Sequence, residues 1–309
     1  MKKVIITLII AAMSLACSSK GEKKLVVGFS LSSLKDPFLL TLKKSAEKAA
    51  KENNIKLVVT ESQANLAKQI NAVEDLMQRE IDILGLNPID AKGIIPVVEA
   101  ANVAGIPVIT VDTDALGGEL VTFVGSDNVK GGELAGEYII EKLKGKGRVA
   151  VLDDVPGKAA IMDRIKGFKK AVEKEPAIEI VTIQPAYGKR DVAITVTENI
   201  LQAHPNIDAI FATCDAMVLG ALEVLQASGE KDDIILVGFD ACEEALECIK
   251  EKRLDADIAQ FPDKMGELFI EAAIKTLKGE NLPKYIPVQV VLVTSENVDT
   301  FNKDIINNE

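Results

Sequence analysis

Short apolar runs alternate along this chain with longer stretches whose apolar positions recur every three or four residues. The runs Leu25–Ser30, Ile55–Thr60, Ile81–Leu86 and Val108–Val111 are rich in Val, Ile and Leu and read as strands. Phe38–Asn53 and Leu66–Arg79 lie between them with the spacing of amphipathic helices. The rhythm then starts again. Strands are predicted at Arg148–Leu152, Ile178–Ile183, Ala209–Ala212 and Ile234–Phe239, and helices at Ala160–Lys174, Val192–Ala203 and Ala216–Ala227. Such alternation predicts an α/β fold with parallel sheets covered by helices on both faces.

The two halves echo each other. IDILGLNPIDA (81–91) aligns with IDAIFATCDAM (207–217), and GIPVITVDTD (105–114) with DDIILVGFDA (232–241). Each member of the second pair is a greasy strand that ends abruptly in a carboxylate, Asp112 or Asp240. The step from Asn87 to Asp112 is 25 positions and that from Cys214 to Asp240 is 26. Two similar Rossmann-like lobes account for this. Open parallel sheets bind ligands beyond the carboxyl ends of their strands. Asn87, Asp112, Asp240 and the Cys214–Asp215 pair all sit at such ends, so facing lobes would line one cleft with them.

Composition narrows the partners. The 309 residues, 48% of them apolar, suffice for two packed cores, and a net charge of −11 argues against nucleic acid. The first residues, MKKVIITLIIAAMSLACSSKGEKK, combine Lys2 and Lys3 with an apolar core, Val4–Met13, too short to span a bilayer comfortably. This segment resembles a bacterial lipoprotein signal peptide, which implies that 1–17 end at a lipidated Cys17 and that 18–24 form a tether. One departure is Ser14, where such signals usually carry Leu three residues before the cysteine. The other cysteines, Cys214, Cys242 and Cys248, are odd in number and match no zinc spacing. Cys214 and Cys242 each lie just past a strand end, so a bridge between them stays open.

The usual parts of catalysis are missing. No GxGxxG follows a strand, and neither a Walker sequence nor a GxSxG elbow occurs. The single histidine, His204, sits in AHPN at a helix end and reads as a cap or loop residue. No catalytic residue, metal site or cofactor is therefore expected, although paired carboxylates leave glycoside hydrolysis open. What the strand ends do suit is a hydroxyl-rich guest. Carboxylates accept from neighbouring hydroxyls, amides both donate and accept, and arginine donates in a fixed fork.

Nine motifs carry a family resemblance: SSLKDPF (32–38), ESQAN (61–65), LNPID (86–90), IPVITVD (106–112), SDNVKGG (126–132), DRIKGF (163–168), AHPNIDAIFATCDAMVLGAL (203–222), VGFD (237–240) and IAQFPD (258–263). With them the chain resembles the periplasmic sugar-binding proteins of the ribose-binding type, which feed ABC transporters. The resemblance covers about Leu25 to Val293. It implies the periplasmic binding protein type I architecture, two lobes joined by a three-segment hinge. Crossings are expected near Gly125–Ser126, Gln260–Phe261 and Val288–Gln289, with helix Asp263–Lys278 returning to the first lobe. The lobes would then be 25–125 with 261–288, and 126–260 with 289–309.

The same resemblance implies a ligand shell of Ser32, Asp36, Phe38, Asn87, Asp112, Arg164, Asp240 and Gln260. Other positions depart from the ribose pattern. An arginine is replaced by Thr113, an amide by Asp36, another amide by Cys214, and the aromatic of the second lobe falls at Gly188 with Tyr187 beside it. A cation is lost and an anion gained, so a pocket more acidic than a ribose site is expected. The implied protein is a monomer, held to a membrane through Cys17 on its extracytoplasmic side. It captures a monosaccharide or polyol for an ABC-type permease, or presents a sugar or furanose signal to a chemoreceptor or kinase. A repressor core of the same fold fits poorly with a signal peptide and no N-terminal DNA-binding helices.

Overall fold

A computed structural model describes residues 24–154 and 158–301. The expected signal peptide, Cys17 and all of the expected tether but Lys24 lie outside the described residues. In chain order the elements are β1 (Val26–Leu31), α1 (Pro37–Glu52), β2 (Lys56–Glu61), α2 (Leu66–Gln78), β3 (Ile83–Leu86), α3 (Ile95–Val103), β4 (Val108–Val111), β5 (Thr122–Ser126) and α4 (Asn128–Lys142). There follow β6 (Gly147–Asp153), α5 (Ala159–Val172), β7 (Ile178–Pro185), α6 (Arg190–Ala203), β8 (Ala209–Ala212), α7 (Asp215–Ser228), β9 (Ile235–Asp240) and α8 (Glu243–Lys250). The last are β10 (Ala256–Ala259), α9 (Pro262–Leu277), β11 (Tyr285–Val288) and β12 (Val291–Thr294).

These strands form two six-stranded sheets in the same spatial order, β11-β5-β4-β3-β1-β2 and β12-β10-β9-β8-β6-β7. The internal echo in the sequence is thus a topological equivalence: β3 corresponds to β8, and β4 to β9. Their sequences explain their central places. ILGL, VITV and AIFA are buried along their whole length, as strands covered on both faces must be. The edge strand β2, KLVVTE, is only half-buried and ends in charge at both tips.

Both sheets are parallel, as expected, except at one edge. β12 runs antiparallel to β10, whereas β11 is parallel to β5. The cause is the direction of travel. β11 leaves the first sheet at the carboxyl ends of its strands. The chain then enters the second sheet from the corresponding ends and must run against its neighbours there. It also passes between the sheets from β5 to α4 and from β10 to α9.

Local chemistry fixes the helices that face the cleft. α1 begins with Pro37 behind an Asp36 cap, whose carboxylate accepts the N–H of Phe38 at 2.9 Å. It buries Leu39, Leu42, Ala46, Ala49 and Ala50, the stripe that meets α9. α4 packs on α5 in the corresponding place. There the backbones touch through Gly132 and Gly167. A Cβ at either would lie 1.9 Å from a carbonyl oxygen of the facing helix, that of Arg164 or Val129. The glycines of SDNVKGG and DRIKGF therefore let α5 seat deeply enough to carry Arg164 to the cleft. Gly167→Ala is expected to destabilise the fold by about 3 kcal/mol through overpacking, and to weaken ligand binding by moving Arg164. Urea unfolding and a ligand titration on one preparation check both.

Candidate functional site

The carboxyl ends of both sheets face a cavity of about 590 Å³, within the range of small-molecule sites. Asp36, Phe38, Asp112 and Thr113 line it from the first lobe, and Arg164, Tyr187, Cys214 and Asp240 from the second. Gln260 joins them from the crossing between β10 and α9.

Arg164 is the best-held of these groups. It is 5% exposed and projects from the first half of α5. Its Nε donates to Asn128 at 2.9 Å, and its Nη1 donates to the carbonyl of Thr213 at 2.6 Å and to Asp240 at 3.3 Å. The guanidinium lies 3.7 Å from the centre of the Phe239 ring, a stacking only arginine makes well. A solvated helix charge is thereby excluded.

Asp240 ends β9 and also accepts from Gln260 Nε2 at 2.6 Å. Gln260 in turn accepts from Ser126 Oγ at 2.7 Å, which ties two of the crossings together. The Tyr285 hydroxyl, at the start of β11, donates to the Ser126 carbonyl at 2.7 Å. Burial pushes the Asp240 carboxyl up to about 7; Arg164 opposes this, and Asp215 adds to it.

Asp112 stands at the equivalent tip of β4. Its Oδ2 accepts from Asn87 Nδ2 at 3.0 Å and from Thr113 Oγ1 at 3.3 Å. Its pKa is raised by burial first; Arg164 draws it down across the cleft, and Asp36 raises it further. Asp112 and Asp240 both have left-handed backbones, φ 66° and 116°, where a residue with a side chain is strained unless its surroundings hold it. Neither caps a helix: the next helix after Asp240 is capped by Cys242.

Two residues of the expected shell stand behind the wall. Asn87 is 2% exposed, and Ser32 Oγ donates to its Oδ1 at 2.6 Å. They form a chain, Ser32 to Asn87 to Asp112, that orients the carboxylate. Phe38 does two things, packing on the core and lining the cavity. Cys214 and Cys242 both line the cavity as free cysteines. Burial raises both thiols, Cys242 to about 12, so they face the cleft neutral and are poor nucleophiles.

Sequence reading missed Asp154, Lys158, Arg190 and Glu244, which also line the cavity. Asp154 sits just past the tip of β6, so the strand-end rule would have found it. It pairs with Lys158 at 2.8 Å. Its carboxyl also explains Gly188, where a Cβ would lie 2.7 Å from Asp154 Oδ1. Arg190 and Glu244 pair with each other at 2.8 Å, and nothing local in the sequence marks them.

Acceptors thus outnumber cations around the cavity. Asp36, Asp112, Asp154, Asp215, Asp240 and Glu244 face only Lys158, Arg164 and Arg190. Such a wall takes hydroxyl donors well and repels anions. Among the described residues no group of His, Cys, Asp and Glu is arranged to hold a metal, and no helix is long and apolar enough to cross a membrane.

Residues 27–281 match the family model described as periplasmic binding protein domain. The chain is 42% identical over 279 residues to the ribose import binding protein of Bacillus subtilis, covering 90% of each. Among solved structures it is similar to a periplasmic solute binding protein of an ABC transporter from Actinobacillus succinogenes with bound D-allose. That match has a TM-score of 0.83 and 29% identity, over 90% of this chain and 100% of the other. A solute binding protein of Bacillus halodurans with bound myo-inositol gives a TM-score of 0.83 and 31% identity, over 90% and 96%.

Proposed function

The chain belongs to the periplasmic binding protein domain family, and on that premise we propose that it captures a neutral monosaccharide or related polyol for an ABC-type importer. The observation that carries this is the pairing of strand-tip carboxylates from two lobes, Asp112 and Asp240, with Arg164 in one cavity. A hydroxylated ring between them would donate to both carboxylates and accept from the guanidinium. Charge-assisted hydrogen bonds of this kind contribute roughly 1.5–3 kcal/mol each. A few of them bring the affinity to about micromolar after the costs of ordering.

Ligand would favour the closed form because only there do both lobes touch it. In this reading one lobe comprises 25–125 and 261–288 and the other 126–260 and 289–301, residues 302–309 lying outside the described residues, with the hinge at the crossings Gly125–Ser126, Gln260–Phe261 and Val288–Gln289, two of which the Ser126–Gln260 hydrogen bond joins. The permease would recognise the closed pair of lobes, and no covalent step is required. Relatives of this kind work outside the cytoplasm. Cys17 as lipid anchor and a monomeric state complete the proposal, the first resting on the N-terminal sequence alone.

A thermal-shift panel of pentoses, hexoses, inositols, amino sugars, sugar acids and sugar phosphates tests it. Neutral sugars or polyols are expected to raise the melting temperature, with about 2.7 kcal/mol of stabilisation at a hundredfold excess over Kd. Preferential stabilisation by sugar acids or phosphates would overturn the ligand class.

A further inference from the structure

The turn that carries Asp240 is held from below by two more carboxyls. Asp257 lies within β10 and is fully buried; Asp215 opens α7 and is 4% exposed. Asp257 Oδ1 accepts the N–H of Ala241 at 2.9 Å, and Asp215 Oδ2 accepts that of Cys242 at 2.5 Å. These N–H groups belong to the two residues directly after Asp240. The backbone there passes through positive φ twice in succession, 116° at Asp240 and 51° at Ala241.

The other two oxygens of the pair converge over Gly238. A Cβ at that position would lie 2.2 Å from Asp257 Oδ2 and 3.1 Å from Asp215 Oδ1. The glycine leaves room for the two carboxyls to approach each other, and among the described residues the buried Asp257 Oδ2 has no N–H or O–H donor within hydrogen-bond reach. Two ionised carboxylates in this position would repel with no donor between them, whereas one acid and one carboxylate can hydrogen-bond.

We infer that Asp215 and Asp257 share one proton in the folded protein, and that this acid–acid hydrogen bond sets the turn that aims Asp240 into the cleft. The role in aiming rests on the proposed part of Asp240 in ligand capture; the shared proton does not.

The surroundings favour a single negative charge on the pair. Asp240 on β9 and the Cys242 thiol at the head of α8 face it, with Arg164 of α5 and Asp36 at the head of α1 beyond Asp240. Arg164 is the cation of this set and is already engaged with Asp240. Burial drives the Asp257 carboxyl well above the ordinary range, and Asp215 and Asp240 push it further. The pair acts as one anion that accepts two backbone N–H groups. Loss of the shared proton would set two buried anions face to face and loosen the turn.

The sign of the pH effect follows. The folded state keeps a proton that the unfolded chain releases near the ordinary carboxyl value of 3.8. Stability from the pair is full below that value and is lost as pH rises through the folded value. Asp257→Asn replaces the shared proton with an amide N–H and keeps an oxygen for Ala241. Asp257→Leu removes both.

The experiment is urea unfolding of the ligand-free mature chain from about pH 5 to about pH 8, for wild type, Asp257→Asn and Asp257→Leu, with titration by D-ribose, D-allose and myo-inositol. Wild-type stability is expected to fall with pH more steeply than that of Asp257→Asn, by a slope of about one proton. Asp257→Leu is expected to bind about tenfold or more weakly than wild type, and Asn to restore affinity to within about threefold. Equal slopes for wild type and Asn would overturn the shared proton. Asn binding as poorly as Leu would overturn the role of the pair in aiming Asp240. If none of the sugars bound wild type, the ligand proposal would fail and the slopes would still decide the proton. If Asp257→Leu did not fold, the comparison of wild type with Asn would still stand.

Discussion

Arg164→Ala is expected to lower sugar affinity by about a hundredfold or more and to destabilise the ligand-free protein by about 3 kcal/mol. The two effects have separate causes. Stability falls because the buried side chain donates to Asn128, the Thr213 carbonyl and Asp240, and is the cation paired with Asp240. Deleting one member of a buried ion pair leaves the other charge without compensation. Protonation of Asp240, whose carboxyl is already raised, would cushion part of that loss at neutral pH. Affinity falls because the ligand loses the guanidinium and meets a less well-placed Asp240. Arg164→Lys should fall between, keeping the charge without the fork or the stack on Phe239. Isothermal titration beside urea unfolding separates the two effects. Full affinity in a destabilised but folded Arg164→Ala protein would assign the residue to the fold alone.

Asp112→Asn should move the two quantities in opposite directions. The carboxylate sits where burial raises its pKa, so at pH above that raised value its ionised form costs folding free energy. An amide carries no such cost, and asparagine tolerates the left-handed backbone at this position. The ligand-free variant should therefore be at least as stable as wild type near neutral pH. Its advantage should shrink as pH falls toward the ordinary carboxyl value, where Asp112 is protonated in both states. Sugar affinity should drop about thirtyfold to a hundredfold, the worth of one charge-assisted hydrogen bond in a dry site. Binding residues that cost stability are expected in a cleft whose function is to be completed by a guest. A variant less stable than wild type, with affinity unchanged, would make Asp112 a structural residue.

Much of the fold was legible because it rests on short-range patterns. β3, β4, β8 and β9 announce themselves as short, mostly apolar runs, and α1 and α2 by their apolar stripes. The antiparallel course of β12 depends on where the chain comes from, which no local pattern encodes. Asp112, Asp240 and Arg164 were reachable from strand ends and family motifs. The placing of Asn87 and Ser32 behind the wall was not, because a buried amide and a cleft-facing one look alike in sequence. Asp257 is the clearest case. It stands in an ordinary strand, ADIA, and gains its meaning only from Asp215 and the Ala241 N–H, which arrive from other elements.

The most direct test is a crystal structure of the mature chain with the sugar that gives the largest thermal shift. The expected result is one ring in the cleft between the sheets, with hydroxyls within hydrogen-bond distance of Asp112 on one side and of Arg164 and Asp240 on the other. A sugar seated on one lobe only, or outside this cavity, would contradict capture by two facing sets of strand tips.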